Sequence, residues 1–189
     1  MILGITGGTG CGKTTLLKEI EARGGLVLDC DAVYHELLTR DCALMNAIND
    51  RFPGVVVDKK LERKRLGAIV FNDEAALRDL NAITHGAIKA EIVRRLAENP
   101  PLAAIDAIAL FEGGLAHLCD TTVAITAPRA DLVQRLMKRD GISAQYAENR
   151  ISAQKSESWF RQMCDHTLHN DGTQEEFREK CSVFLDSIL

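Results

Sequence analysis

The sequence contains little that interrupts regular structure and no apolar run long enough to cross a membrane. Only four of its 189 residues are proline, and aromatic residues make up 5% of the chain. A membrane-spanning helix needs about 20 consecutive, mostly apolar residues, whereas the apolar runs here are short. The N-terminus has no basic segment ahead of an apolar one, so no signal peptide is predicted. We expect a cytoplasmic protein that contacts no membrane.

Cysteine is present, but not in closely spaced pairs. The six cysteines are scattered along the chain, and none stands in a Cys-x-x-Cys motif. Isolated cysteines in a reducing compartment usually behave as small core residues. We therefore expect no disulfide bonds.

The chain also lacks an excess of basic residues. Its formal net charge is -4 at pH 7, which argues against a surface that coats nucleic acid. Residues 129–161 depart from this balance, with seven Lys or Arg against four Asp or Glu. A basic region in an acidic chain suits a small polyanionic ligand. No feature indicates an obligatory protein partner.

Short apolar runs alternate with stretches of helical periodicity. Strands are predicted at 2–6, 26–29, 102–110 and 121–126, and helices at 13–23, from about 32, at 74–98, after Pro128 and after the capping box at 173–176. In the 74–98 helix we expect one face to turn inward, formed by Leu77, Leu80, Ile88, Ile92 and Leu96. This alternation predicts an α/β protein with a parallel sheet covered on both faces. Such sheets bind ligands at the carboxyl ends of their strands.

Residues 7–14 carry the strongest motif. They read Gly-Gly-Thr-Gly-Cys-Gly-Lys-Thr, match G-x-x-x-x-G-K-[ST] in full, and lie between the first predicted strand and helix. The glycines let successive backbone N–H groups point at phosphate oxygens, and the helix N-terminus adds its positive dipole end. In such a loop the lysine, here Lys13, reaches the β- and γ-phosphates, and the hydroxyl of Thr14 ligates Mg²⁺. The motif predicts binding of ATP with Mg²⁺.

The motif alone does not separate kinases from nucleotide-dependent switches. A guanine-specific switch would need an Asn/Thr-Lys-x-Asp element, and the sequence has none. Cys11 adds a second question. The positive field of the loop would lower the pKa of a thiol that faces the phosphates, whereas a thiol packed between helix and sheet would be inert.

Four carboxylates follow predicted strands. Asp29 and Asp31 end the second strand, where a carboxylate could take the proton of a phosphoryl acceptor or cap the next helix. Asp106 follows a buried run and resembles the carboxylate that supports Mg²⁺ through water, although it could be an ordinary polar residue on a strand. Glu112 belongs either to the acceptor site or to the start of a helix.

Three arginines surround a predicted helix–turn–helix centred on Gly141. Arg135, Arg139 and Arg150 suit a mobile flap, because the transition state of phosphoryl transfer spreads charge over the transferring oxygens. They could also form ordinary ion pairs on a solvated helix face.

Further motifs follow in a specific order. They are Asp29-Cys-Asp31, residues 61–71, Ile83-Thr-His85, Leu110-Phe-Glu112, residues 139–143, Arg150-Ile-Ser-Ala-Gln154 and residues 165–172. Together with the P-loop, they resemble the dephospho-coenzyme A kinase family over nearly the whole chain. The resemblance implies a P-loop kinase fold with a five-stranded parallel sheet flanked by helices, a helical substrate-binding insertion and a small lid. It also implies ATP-dependent phosphorylation of the ribose 3′-hydroxyl of dephospho-CoA to give CoA.

The resemblance also implies roles for single residues. The core would comprise about 1–32, 99–135 and 156–189, the insertion about 33–98 and the lid about 136–155. Catalysis is assigned to Lys13, Asp31, Arg139 and Arg135, and acceptor binding to Asp29, Asp31, Arg63, His85 and Glu112. ATP would be bound by Gly8, Thr9, Gly10, Cys11, Gly12, Lys13, Thr14, Thr15, Asn170 and Gly172. The metal would be held by Thr14 directly and by Asp106 through water.

Some positions depart from the family pattern, and alternatives stay open. Cys11, Cys30, His35, Glu62, Gly86 and Ile108 replace the usual Ser, Ala, Arg, Asp, Pro and Pro. None of these changes removes a proposed catalytic group. A kinase of the same fold that acts on a nucleoside monophosphate or another small molecule is one alternative. A P-loop switch that hydrolyses slowly and signals through a partner is the other.

Overall fold

The computed structural model describes all 189 residues, which form two compact units. The first unit comprises Met1–Val27, Pro100–Leu110 and Leu115–Leu189. The second comprises Leu28–Asn99 and Phe111–Gly114. No helix in either unit combines the length and apolar character that a membrane span requires.

A five-stranded sheet forms the centre of the fold. Its strands are β1 (Ile2–Thr6), β2 (Leu26–Asp29), β5 (Ala103–Asp106), β6 (Thr121–Thr126) and β7 (His166–His169), in the order β2-β5-β1-β6-β7. Strand β1 pairs in parallel with β5 and β6, and β6 pairs in parallel with β7. The predicted parallel α/β fold is confirmed, although β7 was not predicted from its own residues.

Helices and a hairpin make up the rest. In the first unit they are α1 (Lys13–Ala22), a 3-10 turn at Ala116–Leu118, α6 (Arg129–Asp140), α7 (Ala144–Ser152), α8 (Glu157–Met163) and α9 (Gln174–Ile188). In the second unit they are α2 (Cys30–Arg40), α3 (Cys42–Arg51), α4 (Arg63–Val70), α5 (Glu74–Leu96) and an antiparallel hairpin of β3 (Val56–Val57) and β4 (Lys60–Leu61).

The two elements that flank the P-loop pack into the same apolar core of the first unit. Leu3 and Ile5 of β1 are fully buried and belong to one apolar cluster with Leu16 and Ile20 of α1 and Phe177 of α9. Burying a side chain of this size contributes roughly 1.5–3 kcal/mol. The strand before the P-loop and the helix after it are therefore fixed by the same core.

Two local expectations were wrong. The predicted strand 102–110 ends at Asp106, where Ala107 N donates its last bond to β1, at 3.1 Å from Ile5 O. Residues 108–114 then form turns, so Glu112 does not start a helix. Leu77 is 41% exposed rather than inward, and Ala76 is 1% exposed. The buried stripe of α5 therefore follows Ala76, with i,i+4 spacing to Ile92.

Candidate active site

The P-loop between β1 and α1 adopts a backbone that only glycine permits at two positions. Gly7 has φ 141° and Gly12 has φ 106°. A Cβ atom on Gly7 would lie 2.2 Å from the carbonyl oxygen of Ile125, and one on Gly12 would lie 2.4 Å from Asn170 Nδ2. Strain and collision therefore both exclude side chains there.

The N-terminus of α1 fits an anionic ligand. Gly12 is its N-cap, and no side chain accepts a hydrogen bond from the first turn. An uncapped first turn leaves N–H groups that a phosphate can accept from, at the positive end of the helix dipole. Of the predicted nucleotide ligands in this turn, Thr14 is exposed and Thr15 is partly exposed.

Lys13 and Asp106 lie side by side at the base of the loop. Lys13 Nζ is 3.8 Å from Asp106 Oδ1 and donates a hydrogen bond to the carbonyl oxygen of Gly7 at 3.3 Å. Their side chains are only 14% and 15% exposed. Asp106 reaches this place because β5 pairs with β1 in the register that sets Ile5 opposite it. The ammonium group is thus held beside a carboxylate and near the loop backbone.

The oxygen donors present suit a magnesium ion. The Thr14 hydroxyl and the Asp106 carboxylate are hard oxygen ligands of the kind that Mg²⁺ prefers. No group of three or more His, Cys, Asp or Glu side chains is placed to hold a metal alone. Such a sparse donor set fits a magnesium ion that is bound largely through substrate phosphates.

Two side chains support the P-loop from its carbonyl side. Asn170, which is buried, donates from Nδ2 to the carbonyl oxygen of Cys11 at 2.8 Å. Arg135 Nη1 lies 3.4 Å from the carbonyl oxygens of Gly10 and Cys11. The structure therefore shows both residues in contact with the loop backbone, and their predicted nucleotide contacts stay predictions. Gly172 lies just before α9, where a Cβ would meet Glu176 Oε2 at 2.5 Å.

Two of the three arginines predicted for the lid, Arg139 and Arg150, cluster around Asp140. Arg139 donates from Nε and Nη2 to Asp140 at 2.7 and 3.0 Å, and Arg150 donates from Nη1 at 2.6 Å. Hydrogen bonds from Arg139 first, and then from Arg150, lower the pKa of Asp140 to about 2. Arg139 Nη2 also lies 3.5 Å from the Thr9 hydroxyl. Asp140 was not predicted as a site residue, and its position next to Arg139 was the available signal.

Asp29, which ends β2, and Asp31, in the first turn of α2, make different contacts. Asp29 is the N-cap of α2, and its Oδ1 accepts from the backbone N–H groups of Asp31 at 2.9 Å and Ala32 at 3.2 Å. The hypothesis that Asp31 caps the helix is therefore wrong. Asp31 lies in the first turn of α2 with an exposed side chain. Its carboxylate is not used for capping.

The other predicted acceptor residues belong to the second unit. Arg63 begins α4, and its Nη2 lies 3.3 Å from His35 Nδ1 on α2. His85 is partly exposed in the middle of α5, and Glu112 lies in the turn at 111–114. His35, one of the positions noted as departing from the expected family pattern, thus contacts a predicted acceptor residue.

Cys11 packs into the core. The side chain is 2% exposed and belongs to the apolar cluster beneath the P-loop. Burial raises the pKa of its thiol, and this effect exceeds the opposing influence of Lys13. The hypothesis of a reactive thiolate is therefore wrong, and the packing alternative holds. Burial also raises the pKa of Cys119 to about 12 and that of Cys164 to about 11.

Comparison with known proteins settles the family. The sequence model of the dephospho-CoA kinase family matches residues 1–176. The chain belongs to the dephospho-CoA kinase family. A dephospho-CoA kinase of Anaeromyxobacter dehalogenans is 36% identical over 190 aligned positions, which cover 97% of this chain and 90% of that protein.

Solved structures agree with this membership. A crystal structure of a Thermus thermophilus protein superposes with a TM-score of 0.84 at 29% identity, covering 100% of this chain and 98% of the other. The dephospho-CoA kinase of Campylobacter jejuni superposes with a TM-score of 0.70 at 25% identity, covering 99% and 96%. The resemblance inferred from the sequence is thereby confirmed, and with it the kinase fold.

Proposed function

We propose that this protein transfers the γ-phosphate of Mg-ATP to the ribose 3′-hydroxyl of dephospho-CoA and so forms CoA. The observation that carries the proposal is a complete P-loop with an uncapped helix N-terminus, in a chain whose residues 1–176 match the dephospho-CoA kinase family. Family membership supports dephospho-CoA as the phosphoryl acceptor, and the P-loop supports ATP as the phosphoryl donor.

The P-loop would bind the triphosphate. Backbone N–H groups of the P-loop, among them those of Lys13 and Thr14 in the uncapped first turn of α1, would supply donors for phosphate oxygens. Lys13 starts near the Gly7 carbonyl and Asp106, and from there its ammonium would neutralise charge on the β- and γ-phosphates. When bound, Mg²⁺ would supply further neutralisation of those oxygens, with the Thr14 hydroxyl holding it directly and Asp106 holding it through water.

Asp31 is the proposed base. An acceptor hydroxyl needs a carboxylate to orient it and to take its proton as the oxygen attacks the γ-phosphorus. Asp31 meets the chemical requirement because its carboxylate is exposed and Asp29 performs the capping. The bond between the γ-phosphorus and the β–γ bridging oxygen breaks, and ADP leaves.

The second unit is the proposed acceptor-binding region, with Arg63, His85 and Glu112 around dephospho-CoA. Arg139 is the proposed lid residue at the transition state. Asp140 engages its Nε and Nη2, which leaves Nη1 of the planar guanidinium as a donor for a phosphate oxygen.

Release of ADP, measured with a panel of acceptors, tests the proposal. We expect release that depends on dephospho-CoA and that stops when EDTA removes divalent cations. AMP serves as the matched control, because it shares the adenosine but offers a 5′-phosphate to a nucleoside-monophosphate kinase. Turnover with AMP but not dephospho-CoA would favour the nucleoside-monophosphate alternative. Slow ATP hydrolysis whose rate depends on none of the acceptors would favour the P-loop switch.

A further inference from the structure

Thr9 in the first half of the P-loop is held by a side chain from beyond α7. Its backbone N–H donates to Gln154 Oε1 at 2.8 Å. A Cβ on Gly8 would lie 3.1 Å from the same oxygen, so this oxygen lies close against the loop backbone at Gly8 as well. Thr9 itself is 9% exposed. The hydrogen bond therefore joins a buried donor to a residue 145 positions later in the sequence.

The same threonine is approached by the lid arginine. Arg139 Nη2 lies 3.5 Å from the Thr9 hydroxyl, which is too long to fix the arginine by itself. Asp140 links Arg139 to Arg150, four residues before Gln154 on the segment that includes α7. Hydrogen bonds thus join Thr9 to Gln154 and join Arg150 through Asp140 to Arg139, the chain itself connects Gln154 to Arg150, and the long contact between Arg139 and Thr9 completes a ring.

Gln154 borders a cavity and makes this hydrogen bond from a partly exposed position. Its side chain is half-buried and lines a cavity of about 480 Å³ together with Gly8, Thr9, Ile151 and Phe160. Its backbone N–H continues the end of α7 by donating to Ile151 at 3.1 Å. The backbone of Gln154 thus moves with α7, and its side-chain oxygen fixes that helix end to the loop.

We propose that Gln154 is a positioning residue for phosphoryl transfer, which fixes Arg139 against the first half of the P-loop by way of Thr9. A neutral amide suits this place, since a carboxylate would accept the same hydrogen bond but add negative charge beside the phosphate site. The inference rests on the proposed kinase function and adds a residue to its machinery.

Replacing Gln154 by Ala tests the proposal in the full-length enzyme with Mg-ATP and dephospho-CoA. Loss of one neutral hydrogen bond from the positioned state should lower kcat about fivefold. We expect the dissociation constant for ATP and the Tm to stay near wild type. Gln145→Ala is the matched control, because Gln145 lies on α7, the helix that precedes Gln154, and bonds only within it, to Asn149. Gln145→Ala should keep the wild-type kcat.

Two further variants separate positioning from a structural role. Gln154→Glu keeps the acceptor for Thr9, so it should restore kcat at saturating ATP and show its added charge as a higher KM for ATP. In an Arg139→Ala background, Gln154→Ala should cause no further loss of kcat, since its effect passes through that arginine. A wild-type kcat in Gln154→Ala, a loss confined to Tm, or additive losses with Arg139→Ala would overturn the inference. In each case, dephospho-CoA-dependent turnover by the wild type would leave the proposed function standing.

Discussion

The P-loop region of the first unit and the helices of the second unit are stabilised internally by different kinds of contact. Around the P-loop, backbone geometry and buried contacts decide the structure, because Gly7 and Gly12 tolerate no Cβ and Asn170 bonds the loop from inside the core. In the second unit, a cluster of charged side chains joins helices in addition to the buried apolar side chains. Glu91 of α5 is 8% exposed and pairs with Arg40 of α2 and with Arg94 and Arg95 on its own helix.

The two kinds of contact suit different demands on precision. A phosphate cradle must place backbone groups within a fraction of an ångström, and rigid contacts serve that purpose. Ion pairs with partly exposed arginines hold helices more loosely, because solvent screens them. We therefore expect changes in the first unit to act on turnover and changes in the charged cluster of the second unit to act on stability.

Lys13→Ala should have the largest effect. It removes the only charged side chain contributed by the P-loop, while the loop amides remain. By analogy with the loss of one oxyanion donor, we expect kcat to fall by about 10²–10³. Lys18→Ala, on the exposed side of the same helix, is the control and should keep activity. Near-normal turnover in Lys13→Ala would mean that the P-loop is not the catalytic site.

Asp31→Asn tests whether the second unit also contributes to the chemistry. The amide has nearly the same shape but cannot take the acceptor's proton. A general base contributes about 10²–10⁴, and we expect the lower end, about 10², because the transition state of phosphoryl transfer is loose. ATP affinity should not change.

Asp29→Asn is the matched control for Asp31→Asn. Asn caps a helix about as well as Asp, so this variant should fold normally and lose much less activity. Equal losses in the two variants would contradict the assignment of the base to Asp31.

Glu91→Gln should affect stability rather than turnover. Hydrogen bonds from Arg94, and then from Arg95 and Arg40, hold the pKa of Glu91 well below its usual value. This stabilisation is therefore complete above the usual carboxyl range and is lost as the pH falls through the lowered pKa. At neutral pH we expect Glu91→Gln to lower the free energy of unfolding by about 1–2 kcal/mol. As the pH is lowered, the free energy of unfolding should fall less steeply for this variant than for the wild type.

Glu74→Gln is the control on the same helix. Glu74 is 96% exposed and lies 3.8 Å from Arg78, so it should change stability by less than about 0.5 kcal/mol. Chemical denaturation at several pH values measures both variants. A pH-independent effect for Glu91→Gln would show that shape, not charge, is what matters at this site.

How much of this was predictable differs from site to site. The P-loop was predictable because its glycines at 7, 10 and 12 are required by a local backbone geometry, and a Lys-Thr pair follows them directly. The division of tasks between Asp29 and Asp31 was not, since either carboxylate can cap a helix and only the observed bonds decide. Gln154 was seen only as part of a motif, because its contact with Thr9 spans 145 positions and leaves no local pattern.

The strand errors have a similar cause. The apolar run after Asp106 continues through Leu110, which is fully buried, so burial alone could not show where the strand ends. Strand β7 has the sequence His-Thr-Leu-His and lies at the sheet edge, where pairing with β6 along 123–126 makes it a strand. In both places, pairing with the neighbouring strand decides where the strand lies, and the β-propensity of the residues themselves does not.

The smallest effect should come from cysteine modification. Cys42 is the one cysteine classed as exposed, and Cys11, Cys30 and Cys181 are buried. A thiol reagent should therefore label Cys42 first and leave turnover unchanged, as mass spectrometry and the ADP assay can show together. Rapid inactivation that Mg-ATP prevents and Cys11→Ser abolishes would contradict the packed position of Cys11.

The most direct measurement of the central claim identifies the product. Incubation of the enzyme with Mg-ATP and dephospho-CoA, followed by chromatography against authentic CoA, shows whether the phosphate has reached the ribose 3′-hydroxyl. We predict CoA and ADP in equal amounts from the wild type, and almost none from Lys13→Ala. ADP without CoA, or a product phosphorylated at another position, would contradict the account.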